Sequence, residues 1–455
     1  MIAVLALAVA ISTDRRAINL RTVGSAFALQ LIFAFLVLYV PWGRTGLNAL
    51  TNGVQAVIDS SKEGIAFLFG SAVPPDGEGY VFAFQVLPVI IFFASLTAVL
   101  YYWGALQKVV GWMGTGLHFL LGTGRAESVS AATNVFLGQT ESPLVVKPFV
   151  PFISRSGLFA IMVGGLATVA GSVLVGYALL GANLDQLIAA AFMAAPGALL
   201  MAKIVVPETQ EVDTDGTPVK VAELAKRDKT AAMALASRLD REEAGITTAE
   251  VDGEVAADGE IKDARSEAEL EEHLEPMTEV EEEGHANVVD AAAAGAADGL
   301  KLAANIGAML LAFISLIALV NLILGAVAGW FGVEDLTFEK ILGWLFAPIM
   351  FVIGVPWGEA VAAGSFVGQK TIVNEFVAFT NFGPVADSFS TKTRAIITFA
   401  LTGFANVGSL AILIGGLGGI APNRRHEIAR LGMRCVAAAT LANLMSAAIA
   451  GMLIN

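Results

Sequence analysis

The chain has 455 residues, of which 56% are hydrophobic, with a mean hydropathy of +0.71; this excludes an ordinary soluble globular protein and points to a polytopic membrane protein. Its net charge of -14 is local: Glu208 to Glu283 hold 24 acidic and 8 basic residues, and the remainder holds 17 acidic and 19 basic. The acidity therefore belongs to one insert and gives no reason to expect a nucleic-acid polymer as partner, while the single cysteine excludes an intrachain disulfide.

The N-terminal run MIAVLALAVAIS is followed, not preceded, by Arg15, Arg16 and Arg21, the wrong polarity for a signal peptide. It reads as a short first span with its N-terminus outside. Residues 22–42 form a second span, and a half-polar, helix-compatible segment follows to about Gly70. A turn-rich PPDGEG leads to a third span over 81–103, which ends in the aromatic belt Tyr101-Tyr102-Trp103. Residues 105–121 are amphipathic and suit an interfacial helix. An interrupted apolar segment then occupies 126–155, and 157–180 and 184–206 are two further spans.

The acidic insert, 207–285, has helix-prone pieces at 229–245 and 263–283 without a sustained apolar face. It is expected to be a solvated cytoplasmic loop, with a regulatory role as the alternative. A sixth span covers 301–324, an interfacial helix 336–348, and a second interrupted segment extends to 382 with Pro356, Gly358, Glu359, Lys370, Asn374 and Glu375. Spans over 395–419 and 427–454 close the chain. The expected fold is thus an all-α polytopic membrane protein of eight transmembrane helices, with two re-entrant helical hairpins and interfacial helices. Both termini lie outside and the insert lies in the cytoplasm, in keeping with the basic residues that flank the spans.

The two halves echo one another. GLATVAGS (Gly165–Ser172) matches GFANVGS (Gly403–Ser409), and AATNVFLGQ in the first interrupted segment matches AAGSFVGQ in the second. Each half reads span, interfacial helix, hairpin, span, span, and the halves begin on opposite sides of the membrane. An inverted repeat with paired broken segments is the pattern of secondary transporters, whose sites lie between the repeats near the midplane. The expected division is 1–104 as N-terminal spans, mainly scaffold, and 105–206 as the first repeat with its hairpin at 126–155. The insert 207–285 follows, then a linker, scaffold span and interfacial helix over 286–345. Residues 346–455 form the second repeat with its hairpin at 346–382.

The stretch NVFLGQTESP (Asn134–Pro143) carries Gln139, Thr140 and Glu141 inside an apolar segment, between Gly138 and Pro143, which oppose a continuous helix. An intramembrane carboxylate costs about 2.5–3.5 kcal/mol on insertion scales, so it faces a cavity, a partner or a ligand. Glu375 is its counterpart in the second hairpin. An ion pair with Lys147 or Lys370 is the structural alternative for each. Asn134, Thr168, Asn406 and Ser409 flank the two carboxylates and, taken together, suit one polar pocket, although a single such residue more often bonds a neighbouring helix. No GxxxxGK[ST] phosphate loop occurs, which leaves an ATP-driven pump without support. On the residues alone the chain is a secondary transporter of a small polar solute; a membrane-embedded hydrolase using Glu141 and Glu375, or a passive channel, are the alternatives.

GQTESPLVVKPF (138–149), GQKTIVNEFVAF (368–379) and GFANVGSLAILIGG (403–416), in that order, resemble the concentrative nucleoside transporter family in its bacterial sodium-coupled form. The resemblance covers nearly the whole chain outside the insert. It implies sodium-coupled symport of nucleosides such as uridine into the cell across a bacterial inner membrane, by alternating access, in a homotrimer with scaffold and transport domains. No organic cofactor and no enzymatic activity are implied. Carried over by motif, Gln139, Thr140, Glu141 and Val173 contact the nucleobase. Glu375, Asn406 and Ser409 hold the ribose, with Phe404 packing nearby. Asn134 and Thr168, with the backbone carbonyls of Leu137 and Val169, form the sodium site. Thr168 stands where serine is common and Ser142 where alanine is frequent. Proton coupling through Glu141 or Glu375 is the rival within the family.

Overall fold

The computed structural model describes residues 1–74, 81–225, 285–332 and 336–454, with single positions between 229 and 236. Among these the chain is helical and forms no strand beyond one isolated bridge, Val212 to Pro218. The PPDGEG turn, Glu334, Asp335 and most of the two helix-prone pieces of the insert fall outside the described residues.

The first helices are α1 (Ile2–Ala10), α2 (Leu20–Leu38), α3 (Pro41–Phe69), the one-turn α4 (Phe82–Gln85), α5 (Leu87–Tyr102) and α6 (Ala105–Leu121). The half-polar segment after residue 41 is one 29-residue helix, started by Pro41 in its first turn, where a missing N–H costs nothing. The interrupted segment follows as α7 (Arg125–Thr133) and the single turn α8 (Ser142–Val145). Next come α9 (Arg155–Ala167), α10 (Gly171–Leu179), α11 (Leu184–Val205) and the short α12 (Val219–Ala225). Beyond the insert lie α13 (Val288–Trp330), α14 (Phe338–Ile353), α15 (Trp357–Ile372), α16 (Glu375–Phe382), α17 (Thr391–Leu401), α18 (Val407–Ile420) and α19 (Arg425–Leu453).

Among the described residues six helices are long and apolar enough to cross a membrane, or seven if the bent pair α14–α15 is one span. Of the eight expected spans, α1 has only nine residues, and α17 and α18 are separated by a break, so neither passes that length test alone. Helix α14 runs through Pro348 to Ile353 and turns by 117° into α15.

Burial sorts the helices. The most apolar windows of α9–α10 and α11 are each 94% buried, whereas that of α5 is 22% and that of α13 is 6%. α9, α11 and α19 therefore form the centre, and α13 lies at the rim, packed on α5. That contact is built from small residues: a Cβ on Gly295 would lie 2.6 Å from Ala98 Cβ, and one on Gly299 2.8 Å from Ala94 Cβ. Without a hydrophobic drive between helices in lipid, such close backbone approach supplies the attraction. The outward side chains of α13, among them Leu311, Leu319 and Leu322, are left exposed and apolar.

Both interrupted segments reverse direction. Ser142 Oγ donates to Ser130 O at 2.9 Å across the first, and Asn381 Nδ2 donates to Gln369 Oε1 at 2.5 Å across the second. The two echoing motifs fall on two further interruptions, Thr168–Ala170 between α9 and α10 and Thr402–Asn406 between α17 and α18. Helix starts in the second half are capped by side chains, Asn374 for α16, Ser390 for α17 and Asn406 for α18. Such caps satisfy N–H groups that hydrocarbon cannot.

The start of the acidic insert is docked, which departs from the solvated loop expected there. Asp213 accepts from the backbone N–H groups of Asp215 (3.0 Å) and Thr217 (2.9 Å), closing a turn. The carbonyls of that turn receive both ends of the first hairpin, Arg125 N to Thr214 O at 2.9 Å and Ser154 N to Gly216 O at 3.0 Å. Residues 208–222 thus form a strap across the base of the hairpin.

Candidate functional site

Four chain breaks, at 134–141, 168–170, 373–374 and 402–406, converge in the protein interior. After α7, Asn134 turns its amide back onto Ser130 O (3.0 Å), and the chain passes through Gly138-Gln139-Thr140-Glu141 to α8, which has Pro143 in its first turn. Asn134 is fully buried, and among the described residues its Oδ1 finds no donor; the same is true of the buried Gln139 Oε1. An orphaned buried acceptor is costly unless a ligand or an ordered water completes it.

Facing this tip is the break after α9. Thr168 Oγ donates to Gly164 O at 2.8 Å, which leaves its lone pairs available. A Cβ on Gly164 would lie 3.2 Å from Asn134 Nδ2, so the two breaks sit within van der Waals reach of each other. Gly171 N donates to Phe136 O at 3.1 Å and fixes their register. Leu137 and Val169 lie in the non-helical stretches, where their carbonyls are outside any helical ladder. An uncharged set of amide, hydroxyl and carbonyl oxygens suits a hard monovalent cation.

The second set forms around Glu375, the first residue of α16, which is 4% exposed. Its Oε2 accepts from Asn406 Nδ2 at 2.8 Å, and Asn406 Oδ1 in turn accepts from Ser409 N at 2.7 Å. The Asn406 cap therefore orients its amide toward the carboxylate. Lys370 does not take up the ion pair allowed for by the sequence: its ammonium donates to Ala400 O and Asn443 Oδ1, each at 2.7 Å. Phe404 N donates to Thr168 O at 3.2 Å, so the break that carries Asn406 is tied directly to the break that carries Thr168.

The nucleobase candidates divide. Gln139 packs by its Cβ against Gly165, and Thr140 against Gly416 of α18, both in contact distance of a Cβ at those glycines. Val173 is buried on α10 and Phe404 is half-buried. Glu141 is exposed, and its Oε2 accepts from Gly138 N at 2.9 Å, so it caps its own turn and is not bonded to the Glu375 group. No hydrogen bond joins the two carboxylates, and each has separate partners.

Three features escape the sequence reading. Tyr177, fully buried on α10, stacks on Phe379 at 4.4 Å and meets Phe376 edge-on at 4.9 Å, against the helix that Glu375 begins. Lys203 and Glu127 form a buried pair at 2.8 Å beneath the first hairpin, joined by Ser156 Oγ at 3.0 Å. Glu208 of the strap lies 3.8 Å from Lys203 and accepts from Ser154 Oγ at 2.6 Å; burial pushes its carboxyl above the usual range, against the opposing pull of Lys203. A lone Lys near the end of an apolar helix was the available signal for the second feature. A separate cavity of about 430 Å³ between α3, α5, α10, α11 and the hairpin break is walled by Val54, Phe93, Leu96, Phe136, Leu174 and Phe192. Thr97 is the polar side chain in its wall, so it offers little to a hydroxyl-rich solute.

The model for the C-terminal part of Na+-dependent nucleoside transporters matches residues 186–451, that for the N-terminal part matches 1–72, and a nucleoside-recognition model matches 83–184. An uncharacterized transporter, YutK, of Bacillus subtilis is 46% identical over 453 residues, covering 100% of this chain and 98% of the relative. The nucleoside permease NupC of Helicobacter pylori is 41% identical over 454 residues, covering 98% and 94%. The structure of CNTnw in an inward-facing substrate-bound state superposes with a TM-score of 0.82 at 45% identity, covering 100% of this chain and 96% of that one. The helices, their breaks and these matches agree: the chain belongs to the family of sodium-dependent, concentrative nucleoside transporters.

Proposed function

We propose that this protein is a sodium-coupled nucleoside symporter of a bacterial inner membrane that imports nucleosides such as uridine by alternating access. It is a transporter and not an enzyme, as its matching families and relatives are, so the hydrolase reading falls away. The observation that carries the coupling is the Phe404–Thr168 bond, which joins an oxygen-lined break to a carboxylate–amide pair. Ribose hydroxyls donate to a carboxylate, and Glu375 with Asn406 and Ser409 is the proposed ribose set, with Phe404 beside it. Gln139, Thr140, Glu141 and Val173 are the proposed base set. Asn134 and Thr168, with the carbonyls of Leu137 and Val169, are the proposed sodium ligands, and the orphaned Asn134 Oδ1 supports that role.

Sodium at Asn134 draws the hairpin tip onto the α9–α10 break and so orders Gln139 to Glu141 for the base. Each ligand then meets a site that the other has already ordered, which is positive linkage. The two hairpins are proposed as re-entrant and the two repeats as inverted, with α17–α18 and α1 completing eight spans. In this reading 1–104 and 286–345 are mainly scaffold, and 105–206 and 346–455 are the repeats around the site. A homotrimer belongs to the same proposal, and the exposed apolar face of α13 is free for lipid or for a subunit contact.

Uptake of labelled uridine into proteoliposomes tests the function. Accumulation above equilibrium under an inward sodium gradient, at equal pH on both sides, is expected. Accumulation driven by a proton gradient and indifferent to sodium would favour the rival coupling; uptake indifferent to every cation gradient would refute symport.

A further inference from the structure

Two buried polar side chains outside both proposed ligand sets meet at the centre of the molecule. Lys370, near the end of α15, and Asn443, midway along α19, are each 2% exposed. The last carbonyls of a helix have no partner within it, and an interruption in a membrane interior leaves them without water as well. Asn443 answers both interruptions. Its Nδ2 donates to Ala167 O at 2.7 Å, the last residue of α9, and to Thr402 O at 2.9 Å, just beyond α17. Its Oδ1 accepts from Lys370 Nζ at 2.7 Å, and the same ammonium donates to Ala400 O, also at 2.7 Å. Both amide hydrogens and the amide oxygen of Asn443 are thereby used, and the pattern fixes its orientation, because two carbonyls require the NH₂ and an ammonium requires the oxygen. A cation beside a helix C-terminus is favourable as well.

The positions tied by this amide adjoin the two ligand sets. Thr168 and Val169 follow Ala167 directly, and Phe404 and Asn406 follow Thr402. We propose that Asn443 and Lys370 are a positioning pair that holds the ion-side break and the nucleoside-side break in one register, and so sets how strongly sodium and nucleoside are coupled. Neither side chain touches a ligand in this scheme. The proposal rests on the sodium–nucleoside reading above and adds residues that the reading does not use.

Uridine binding to the purified full-length protein, measured calorimetrically in sodium and in choline buffers, tests it. In the unsubstituted protein sodium is expected to tighten uridine at least about tenfold. In Asn443→Ala the ratio of the two dissociation constants falls to less than about threefold, while the value in choline moves by less than about threefold. Asn443→Asp keeps the acceptor for Lys370 and loses both donors; it is expected to lose the ratio as well, and it serves if the alanine variant does not fold. Lys370→Arg retains a cation and restores more of the ratio than Lys370→Met does. An undiminished sodium effect in the Asn443 variants overturns the positioning role alone, as does a parallel weakening in both buffers with the ratio intact. An unsubstituted protein whose uridine affinity ignores sodium overturns the coupling reading itself.

Discussion

The two hairpins carry the same signature, a carboxylate at a break, and hold it in opposite ways. In the first, Glu141 is exposed and bonds only its own turn, through Gly138 N at 2.9 Å, while Asn134 Oδ1 and Gln139 Oε1 are left unmatched. In the second, Glu375 is buried and bonded across the molecule to Asn406, which is itself fixed as a helix cap. The first tip therefore keeps two unmatched acceptors, which in the proposed reading its ligands complete, while the second is already bonded across the molecule. A transporter that couples two solutes is served by this asymmetry: one part must be ordered by binding, and the other must present a fixed surface.

The bases of the hairpins differ too. The first rests on the strap and on the buried Lys203–Glu127 pair, whereas the second is closed by Glu359 accepting from Ser390 N at 3.0 Å and Ser390 Oγ at 2.9 Å at an exposed position. Breaking the first base is the largest perturbation. Lys203→Met leaves Glu127 charged and buried without its partner and is expected to cost about 3–5 kcal/mol of stability. Glu359→Gln removes the charge and turns one of the two acceptors for Ser390 into an amide donor at an exposed position, and is expected to cost no more than about 1 kcal/mol. Thermal unfolding of the two variants in detergent compares them; equal losses would erase the distinction between the bases.

Next in size is the preorganised carboxylate. Glu375→Gln gives up the charge-assisted bond to Asn406 and is expected to weaken uridine binding by about 2 kcal/mol, roughly thirtyfold, with a smaller change in intrinsic sodium affinity. Glu141→Gln, at the open tip, is expected to weaken uridine by about 1 kcal/mol, roughly fivefold. Calorimetric titration of both variants checks the order, and a larger loss for Glu141→Gln would reverse the comparison of the tips.

The smallest effect concerns pH at the strap. Burial raises the Glu208 carboxyl above its unfolded value, so the docked state binds the proton more tightly than the undocked one. Stability of docking is then fully present below the unfolded value and declines as pH rises through the raised one. Hydrogen exchange at the Arg125 and Ser154 amides, which the strap protects, should slow on acidification after correction for intrinsic rates, and Glu208→Gln should flatten that trend. Greater protection at alkaline pH would contradict the assignment.

Much of this architecture is legible in the sequence because helix breaking is local chemistry. Gly138 with Pro143, and Asn374 and Asn406, lie at the interruptions, and a Glu inside an apolar segment, Glu141 in one hairpin and Glu375 in the other, draws attention to itself. The pairing of Asn134 with Thr168 and of Glu375 with Asn406 came through family motifs. Asn443 was not legible, because it lies in an uninterrupted 29-residue helix and its acceptor Ala167 is 276 positions away. The docked strap was hidden for another reason: Glu211, Asp213 and Asp215 read as part of an acidic run, and only the turn closed by Asp213 shows that they belong to the hairpin base. Tyr177 gave no polar pattern at all, since its neighbours on α10 are apolar.

If sodium and nucleoside occupy adjoining sets joined through one hairpin tip, as proposed, their binding is reciprocally linked. The dissociation constant for uridine should be measured as a function of sodium, and that for sodium as a function of uridine, on the same reconstituted protein. Each ligand is expected to tighten the other by the same factor, at least about tenfold, and Asn134→Ala to abolish both effects together. Uridine affinity that does not respond to sodium, at any concentration that the protein tolerates, would contradict it.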